Sequence, residues 1–310
     1  MKKLVHSKLK VNKFKIAILM SLMIFAFTGC ATVATQPPVK MASDAQYNSA
    51  FSQLESDYDV KLGVYAFDTE TNKEVVYRAD DRFAYCSTFK VLAAGAVLKQ
   101  DSLAQLKQTV KYDKKDVLSY APIAKNNVDK GMTIEEICEA AIRYSDNTAA
   151  NLLLDHIGGP NGFKSVLNQL GDKITQPARI EPELNEGIPG DIRDTSTPRQ
   201  LVTDLQAYIT GNILTEDKKK ILIGWMTGNA TGNTLIRAGA PNNWVVADKS
   251  GTGPYGRRND IAIVMPPNKK PIIIAILSTH DTKEAKHDDK LIAQASKIVF
   301  DSFITTENNQ

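Results

Sequence analysis

The 310-residue chain has only three cysteines and four histidines, and after residue 30 it has no apolar run near the roughly 20 residues that span a bilayer. The histidines offer no metal site: His6 lies at the extreme N-terminus, and His156, His280 and His287 are far apart, without a ligand-spaced pattern such as His-x-x-x-His. Zinc hydrolysis is therefore unsupported, and no cofactor is expected. Acidic residues are missing before residue 30, where Lys2, Lys3, Lys8, Lys10, Lys13 and Lys15 all fall. Removing those six lysines turns the formal charge of +3 into −3, which gives no electrostatic reason to expect nucleic acid as a partner. No internal repeat is apparent, and nothing demands more than a monomer. An apolar content of 43% is ordinary for a globular chain able to bury a sizeable core.

The lysine-rich start and the apolar core Ile16 to Phe27 read as an export signal over residues 1–29, too short to cross a bilayer. Phe27-Thr28-Gly29-Cys30 resembles a lipobox, in which cleavage before Cys30 leaves a lipid-modified cysteine and anchors the protein to the outer face of the membrane. Phe27 stands where leucine is usual, and ordinary cleavage within Gly29 to Ala34, with a soluble product, is the alternative. Residues 30–46, rich in Thr, Pro and Ala, read as a tether ahead of a domain spanning 47–305. Export suggests an oxidising compartment, yet only Cys86 and Cys138 then remain, and they could pair or stay free. Cys86 reads as a small buried packing residue.

Strand patterns at Lys61 to Asp68 and Glu74 to Tyr77, separated by the turn-like Thr69 to Asn72, predict a hairpin. From Ser87 to about Gly228 the pattern is helical, with a capping box at Thr133-x-x-Glu136 and a stop at Gly158-Gly159-Pro160. Strands return at Asn243 to Lys249, Asp260 to Met265 and Pro271 to Ser278. A last helix from about Lys283 to Phe303 carries Leu291, Ile292, Ala295, Ile298 and Val299 on one face. This order predicts an α+β fold: an antiparallel sheet flanked by helices from the two chain ends (47–85 and 229–305), with an all-helical lobe (86–228) inserted. A cleft between the lobes is the expected ligand site.

The most informative segment is Cys86-Ser87-Thr88-Phe89-Lys90, at the head of the apolar run Phe89 to Leu98. Ser87 and Lys90 fall on one helical face, and an ammonium buried there must be paired, neutralised or both. A neutral lysine one turn from a serine is a base beside a nucleophile. A capping Ser87 with Lys90 reaching outward is the bland alternative. Three further segments weigh against it: Ser145-Asp146-Asn147 between two helical patterns, Arg179 to Asn185 (Arg-Ile-Glu-Pro-Glu-Leu-Asn), and Lys249-Ser250-Gly251 after a β-rich run.

In order and spacing, these motifs resemble the class A serine β-lactamases from about Tyr47 to Phe303, with Lys-Ser-Gly where Lys-Thr-Gly is also found. The resemblance implies a β-lactamase/penicillin-binding-protein-like fold and hydrolysis of penicillin-type antibiotics through a serine acyl-enzyme, with a small-molecule β-lactam as partner. It assigns Ser87 as nucleophile and Lys90 as a group that helps remove its proton. Whether Lys90 or Glu181, through a water, is the acylation base stays open. The N–H groups of Ser87 and Thr252 would form the oxyanion hole. Ser145 would relay a proton to the leaving nitrogen, and Asn147 would bond the acylamide side chain. Lys249, Ser250, Thr252 and Arg258, around Gly251, would hold the substrate carboxylate, with Arg257 a solvated surface charge and Tyr120 an aromatic wall. Glu181 would activate the deacylating water, Asn185 would hold that water, and an Arg179–Asp194 ion pair would close the loop. A structural reading of the second motif, with Asp146 or Asn147 as helix N-cap, is compatible with this one. Some members bridge the cysteine before the nucleophile to one beyond Lys-Ser-Gly, but Gly253 stands there. A penicillin-binding peptidase would lack the Glu181 to Asn185 loop, and a membrane-tethered penicillin sensor would need a second spanning or cytoplasmic part.

Overall fold

Along Ile272–Thr279, Ile273, Ala275 and Leu277 enter one hydrophobic cluster while Ile272, Ile274 and Ile276 enter another, and all six are buried. A strand with two apolar faces has to be covered twice, and the rest of the chain does this. The structure, a computed structural model, describes residues 42–307. The expected export signal, the Cys30 lipobox and most of the expected tether lie outside the described residues.

Helix α1 (Ala42–Tyr58), strands β1 (Lys61–Asp68) and β2 (Glu74–Tyr77), and the two-residue strand β3 (Phe83–Ala84) lead to a 3₁₀ turn at Cys86–Thr88 and helix α2 (Phe89–Gln100). The short strands β4 (Thr109–Val110) and β5 (Met132–Thr133) precede helices α3 (Ile134–Arg143), α4 (Asn147–His156) and α5 (Gly159–Leu170). After β6 (Thr195–Ser196) come helices α6 (Pro198–Ile209), α7 (Glu216–Thr227) and α8 (Ile236–Gly239). Strands β7 (Val245–Gly253), β8 (Arg257–Met265) and β9 (Ile272–Thr279), then helix α9 (Asp289–Glu307), complete the chain.

The five-stranded antiparallel sheet has the order β2-β1-β9-β8-β7, so the first hairpin joins the last three strands through β1 and β9. Tyr47, Phe51 and Leu54 of α1 and Leu291, Ile292, Val299 and Phe300 of α9 close one face. The other face shares a core with α2, where Phe89 to Leu98 are buried without a break, as expected of a helix that is apolar all round. Burial of that run rests mainly on neighbouring helices α3, α4, α6 and α7, whose apolar residues complete the same cluster.

Local signals account for several boundaries. Thr133 Oγ1 accepts from Glu136 N at 3.2 Å while Glu136 Oε2 accepts from Thr133 N at 2.8 Å, the reciprocal capping box at the start of α3. Asp146 caps α4 by accepting from Ala149 N at 2.9 Å, and its other oxygen accepts from Ile123 N and Ala124 N at 2.9 and 2.8 Å. Gly158 ends α4 in a left-handed conformation, and Pro160 sits in the first turn of α5, so the stop signal is also a start.

Four expectations need correction. Residues 42–46, read as tether, already belong to α1. Strand β7 does not end at Lys249 but runs to Gly253, which puts the whole Lys-Ser-Gly-Thr segment on the sheet edge. The last helix begins at Asp289, six residues beyond Lys283. Within the nominally helical middle, long stretches around residues 101–131 and 172–195 hold only short turns and two-residue strands. Cys86 and Cys138 are both buried and free, which resolves the open pairing.

Candidate active site

The 3₁₀ turn at Cys86–Thr88 sets Ser87 at the mouth of α2, where β7 passes beside it. Gly251 makes that approach possible: a Cβ there would lie 3.1 Å from Tyr85 O and 3.2 Å from Ser87 N. Cys86, just before Ser87, holds φ at 48°, a left-handed backbone that non-glycine residues adopt at a cost and that is common near reactive groups. Burial pushes its thiol up to about 12, so the sulfur packs and does not ionise.

Lys90, one turn on, has no exposed side-chain surface, and neither has Glu181. Their Nζ and Oε1 lie 3.0 Å apart, and Ser87 Oγ donates to the same Oε1 at 3.4 Å. Lys90 Nζ also donates to Ser145 O at 2.9 Å and Asn147 Oδ1 at 2.7 Å, with Ser145 Oγ at 3.4 Å. Burial lowers the Lys90 pKa below the ordinary lysine range, and the Glu181 carboxylate opposes that shift. Ser87 thus faces an amine–carboxylate pair with no exposed side-chain surface.

Lys249 Nζ donates to Ser145 Oγ at 3.1 Å and to Ser250 O at 2.7 Å, so Ser145 joins the two lysines. Burial first, and the charge of Lys90 second, bring Lys249 down to about 7. Ser250 Oγ shares a hydrogen bond of 2.6 Å with Thr231 Oγ1, and Arg258 Nη1 donates to Thr252 Oγ1 at 2.8 Å while Arg258 Nε binds Asp289 Oδ1 at 2.7 Å. Thr231, Ser250, Thr252 and Arg258 line a cleft of about 350 Å³ with Ser87, Tyr120, Ser145, Asn147, Asn185 and Gly251. Tyr120, half exposed, forms its outer wall, and its carbonyl accepts from Asn147 N at 3.0 Å.

The segment Arg179 to Asp194 folds as a loop over Ser87. Arg179 Nε donates to Asp194 Oδ2 at 2.6 Å, and its Nη1 to Glu186 Oε2 at 2.6 Å. Asp194 Oδ1 accepts from Ala178 N, Arg179 N and Tyr85 Oη at 2.9, 3.0 and 3.0 Å. Asn185 Nδ2 donates to Glu181 Oε2 and fixes the carboxylate's second oxygen.

All the sequence-predicted residues from Ser87 to Arg258 gather here, and Arg179 and Asp194 close the loop behind them. Arg257 is the exception to its own expectation. It is buried, not solvated, and its Nη1 donates to Glu186 O at 3.2 Å and Pro254 O at 2.9 Å while its Nη2 binds Gly187 O.

Sequence reasoning also missed three contributors. Asn151 grips the Glu181 backbone from both sides, accepting from Glu181 N and donating to Glu181 O, each at 2.9 Å. Its position, one helical turn beyond Asn147 on α4, was an available signal. Thr231 sits in the cleft wall with no motif around it. Asp248, buried beside Lys249, is held by Arg237 and Asn229.

Residues 46–303 match the profile of the Beta-lactamase enzyme family. The chain belongs to that family. A Beta-lactamase of Bacillus amyloliquefaciens is 51% identical over 294 residues, covering 93% of this chain and 96% of that protein. Beta-lactamase ROB-1 of Haemophilus influenzae is 49% identical over 298 residues, covering 94% and 98%. Among solved structures, the class A beta-lactamase from Clostridium kluyveri is 88% identical, with a TM-score of 0.83 over 84% of this chain and 99% of that one. The β-lactamase fold expected from the motif order is therefore the fold of this chain, α+β with the sheet between helices.

Proposed function

We propose that the cleft opens β-lactam rings by acylation and deacylation of Ser87. The chain is a serine β-lactamase, hydrolysing penicillin-type antibiotics and so conferring resistance on its cell. Ser87 Oγ attacks the ring carbonyl as its proton passes to Lys90, or through a water to Glu181. The oxyanion is held by the N–H groups of Ser87 and Thr252. As the C–N bond breaks, the ring nitrogen takes a proton relayed by Ser145, which bridges the two lysines. Lys249, Ser250, Thr252 and Arg258 receive the substrate carboxylate, Asn147 its acylamide arm, and Tyr120 flanks it.

The observation that carries this reading is the Glu181 carboxylate, 3.4 Å from Ser87 Oγ and oriented by Lys90 and Asn185. A water between that carboxylate and the acyl carbon loses a proton to Glu181, adds to the ester and frees Ser87. Asn185 Oδ1, buried with no hydrogen-bond partner among the described residues, is an acceptor for such a water. No metal or organic cofactor is needed for either half-reaction.

The same reading places the enzyme outside the cell: residues 1–29 are an export signal, Cys30 carries lipid, and the following residues tether a monomeric catalytic domain with no affinity for nucleic acid. Among the described residues no helix is long and apolar enough to cross a membrane. Intact-mass measurement with benzylpenicillin tests the chemistry. Wild-type protein should show a transient adduct with product release and Ser87→Ala none; a stable adduct on the wild type would indicate a peptidase or sensor instead. Cys30→Ala should shift the cell-bound fraction to the medium.

A further inference from the structure

We propose that Arg257 is a positioning residue for deacylation, strapping the loop backbone at Glu186 and Gly187 to β8 and so setting Asn185 and Glu181 against Ser87. The proposal rests on the hydrolytic reading above and deepens it.

Arg257 is 5% exposed and makes no ion pair with a carboxylate among the described residues. Nη1 and Nη2 donate to three main-chain carbonyls, two of them in the loop, Glu186 O, Gly187 O and Pro254 O, while Nε is buried without a partner among the described residues. Its Cζ also lies 4.7 Å from the centre of the Tyr255 ring. A charge buried on carbonyl dipoles alone is costly, and burial lowers its pKa from the ordinary arginine value. Two of those dipoles, Glu186 O and Gly187 O, belong to the segment that presents Asn185.

The loop is shaped to accept this group. Gly187 holds φ at +51°, and a Cβ there would meet Arg257 Cζ and Nη1, each at 2.5 Å. Any side chain at 187 would expel the guanidinium from its seat. Residue 186 is held twice, its carboxylate by Arg179 and its carbonyl by Arg257. The neighbouring Asn185 O would lie 3.1 Å from a Cβ at Gly253, so the loop abuts β7 there. From Asn185 the restraint passes through its amide to Glu181 Oε2, and from Glu181 to Ser87 Oγ. Lys90 and the N–H groups of Ser87 and Thr252, on which acylation draws, make no hydrogen bond to the Arg257 side chain, so with Lys90 as the acylation base the strap acts on deacylation alone.

The test is pre-steady-state kinetics with a chromogenic cephalosporin on Arg257→Met, Arg257→Lys and Gly187→Ala. Arg257→Met should slow deacylation by at least about tenfold while changing acylation by less than about threefold, so that kcat and KM fall together. Arg257→Lys, able to reach one carbonyl, should fall between it and the wild type, and Gly187→Ala should repeat the Arg257→Met signature. Should Arg257→Met not fold, the other two variants decide. Unchanged deacylation in them, or an equal loss of both steps at constant KM, would overturn the assignment. Failure of the hydrolytic reading would look different, as a wild-type adduct that never turns over.

Discussion

Replacing Asp194 by Asn probes how the Glu181 loop is closed. Asp194 sits at a φ of 56°, where alanine would add backbone strain; asparagine tolerates that region, and the change isolates the charge. In the wild type, Oδ1 accepts from three donors, Tyr85 Oη, Ala178 N and Arg179 N, while Oδ2 faces Arg179 Nε at 2.6 Å. Asparagine keeps an acceptor for the first three, at roughly half the strength of bonds to a carboxylate. Its NH₂ would then meet the Arg179 Nε–H, donor against donor, with the Asp194 side chain fully buried and that of Arg179 15% exposed. Breaking a buried ion pair costs about 3–5 kcal/mol. Arg179 keeps its bond to Glu186, so we expect the low end, about 3 kcal/mol. For a domain of this size that corresponds to a fall in Tm of roughly 6–12 °C if loop and domain melt together. If the loop opens by itself, the melt moves less and Glu181 loses its position instead. Thermal melting and single-turnover deacylation, measured on the same sample, separate the two cases. A Tm within about 2 °C of wild type together with deacylation within about twofold would refute the reasoning.

Two pH dependences follow from buried charges. Lys249, lowered to about 7 by burial and by Lys90, should lose its proton, and its grip on the substrate carboxylate, as pH rises through that value in the free enzyme. A bound carboxylate stabilises the ammonium, so the alkaline limb of kcat should lie above that of kcat/KM; coincident limbs would count against Lys249 as the anion-binding cation. Asp204 is pushed up to about 9 by burial and by the neighbouring charge of Asp172, and Oδ2 of each carboxylate is buried without a hydrogen-bond partner among the described residues. The folded state therefore holds a proton that the unfolded chain releases near pH 4. That stabilisation is complete below the unfolded pKa and is lost as pH rises through the folded one. Urea denaturation should show wild type weakening from pH 6 to pH 9, and Asp204→Asn much less so; parallel curves would contradict a protonated Asp204 in the folded state.

What the sequence made legible was chiefly what local chemistry fixes. The run Phe89 to Leu98, the Thr133–Glu136 box and the β1–β2 hairpin emerge as the patterns require, and the catalytic motifs converge because they sit at the joins between sheet and helices. Helix α1 was hidden because Tyr47, Phe51 and Leu54, which mark its buried stripe, are set in a largely polar segment. Arg257 was misread for a different reason. Successive residues on a strand face opposite ways, so Arg257 and Arg258 could not share one site, and a strand covered on both faces buries both. Thr231 and Arg237 reach the Lys249 region only through tertiary folding, with no local pattern to announce them.

The central claim is that one carboxylate lets water release Ser87 from its ester. Time-resolved intact-mass spectrometry of Glu181→Gln mixed with benzylpenicillin tests it most directly. Because the amide cannot take a proton from the water, the acyl adduct should form and persist, with turnover at least about a hundredfold slower than wild type. Release at the wild-type rate would show that another group activates the water, and the role given to Glu181 would be wrong.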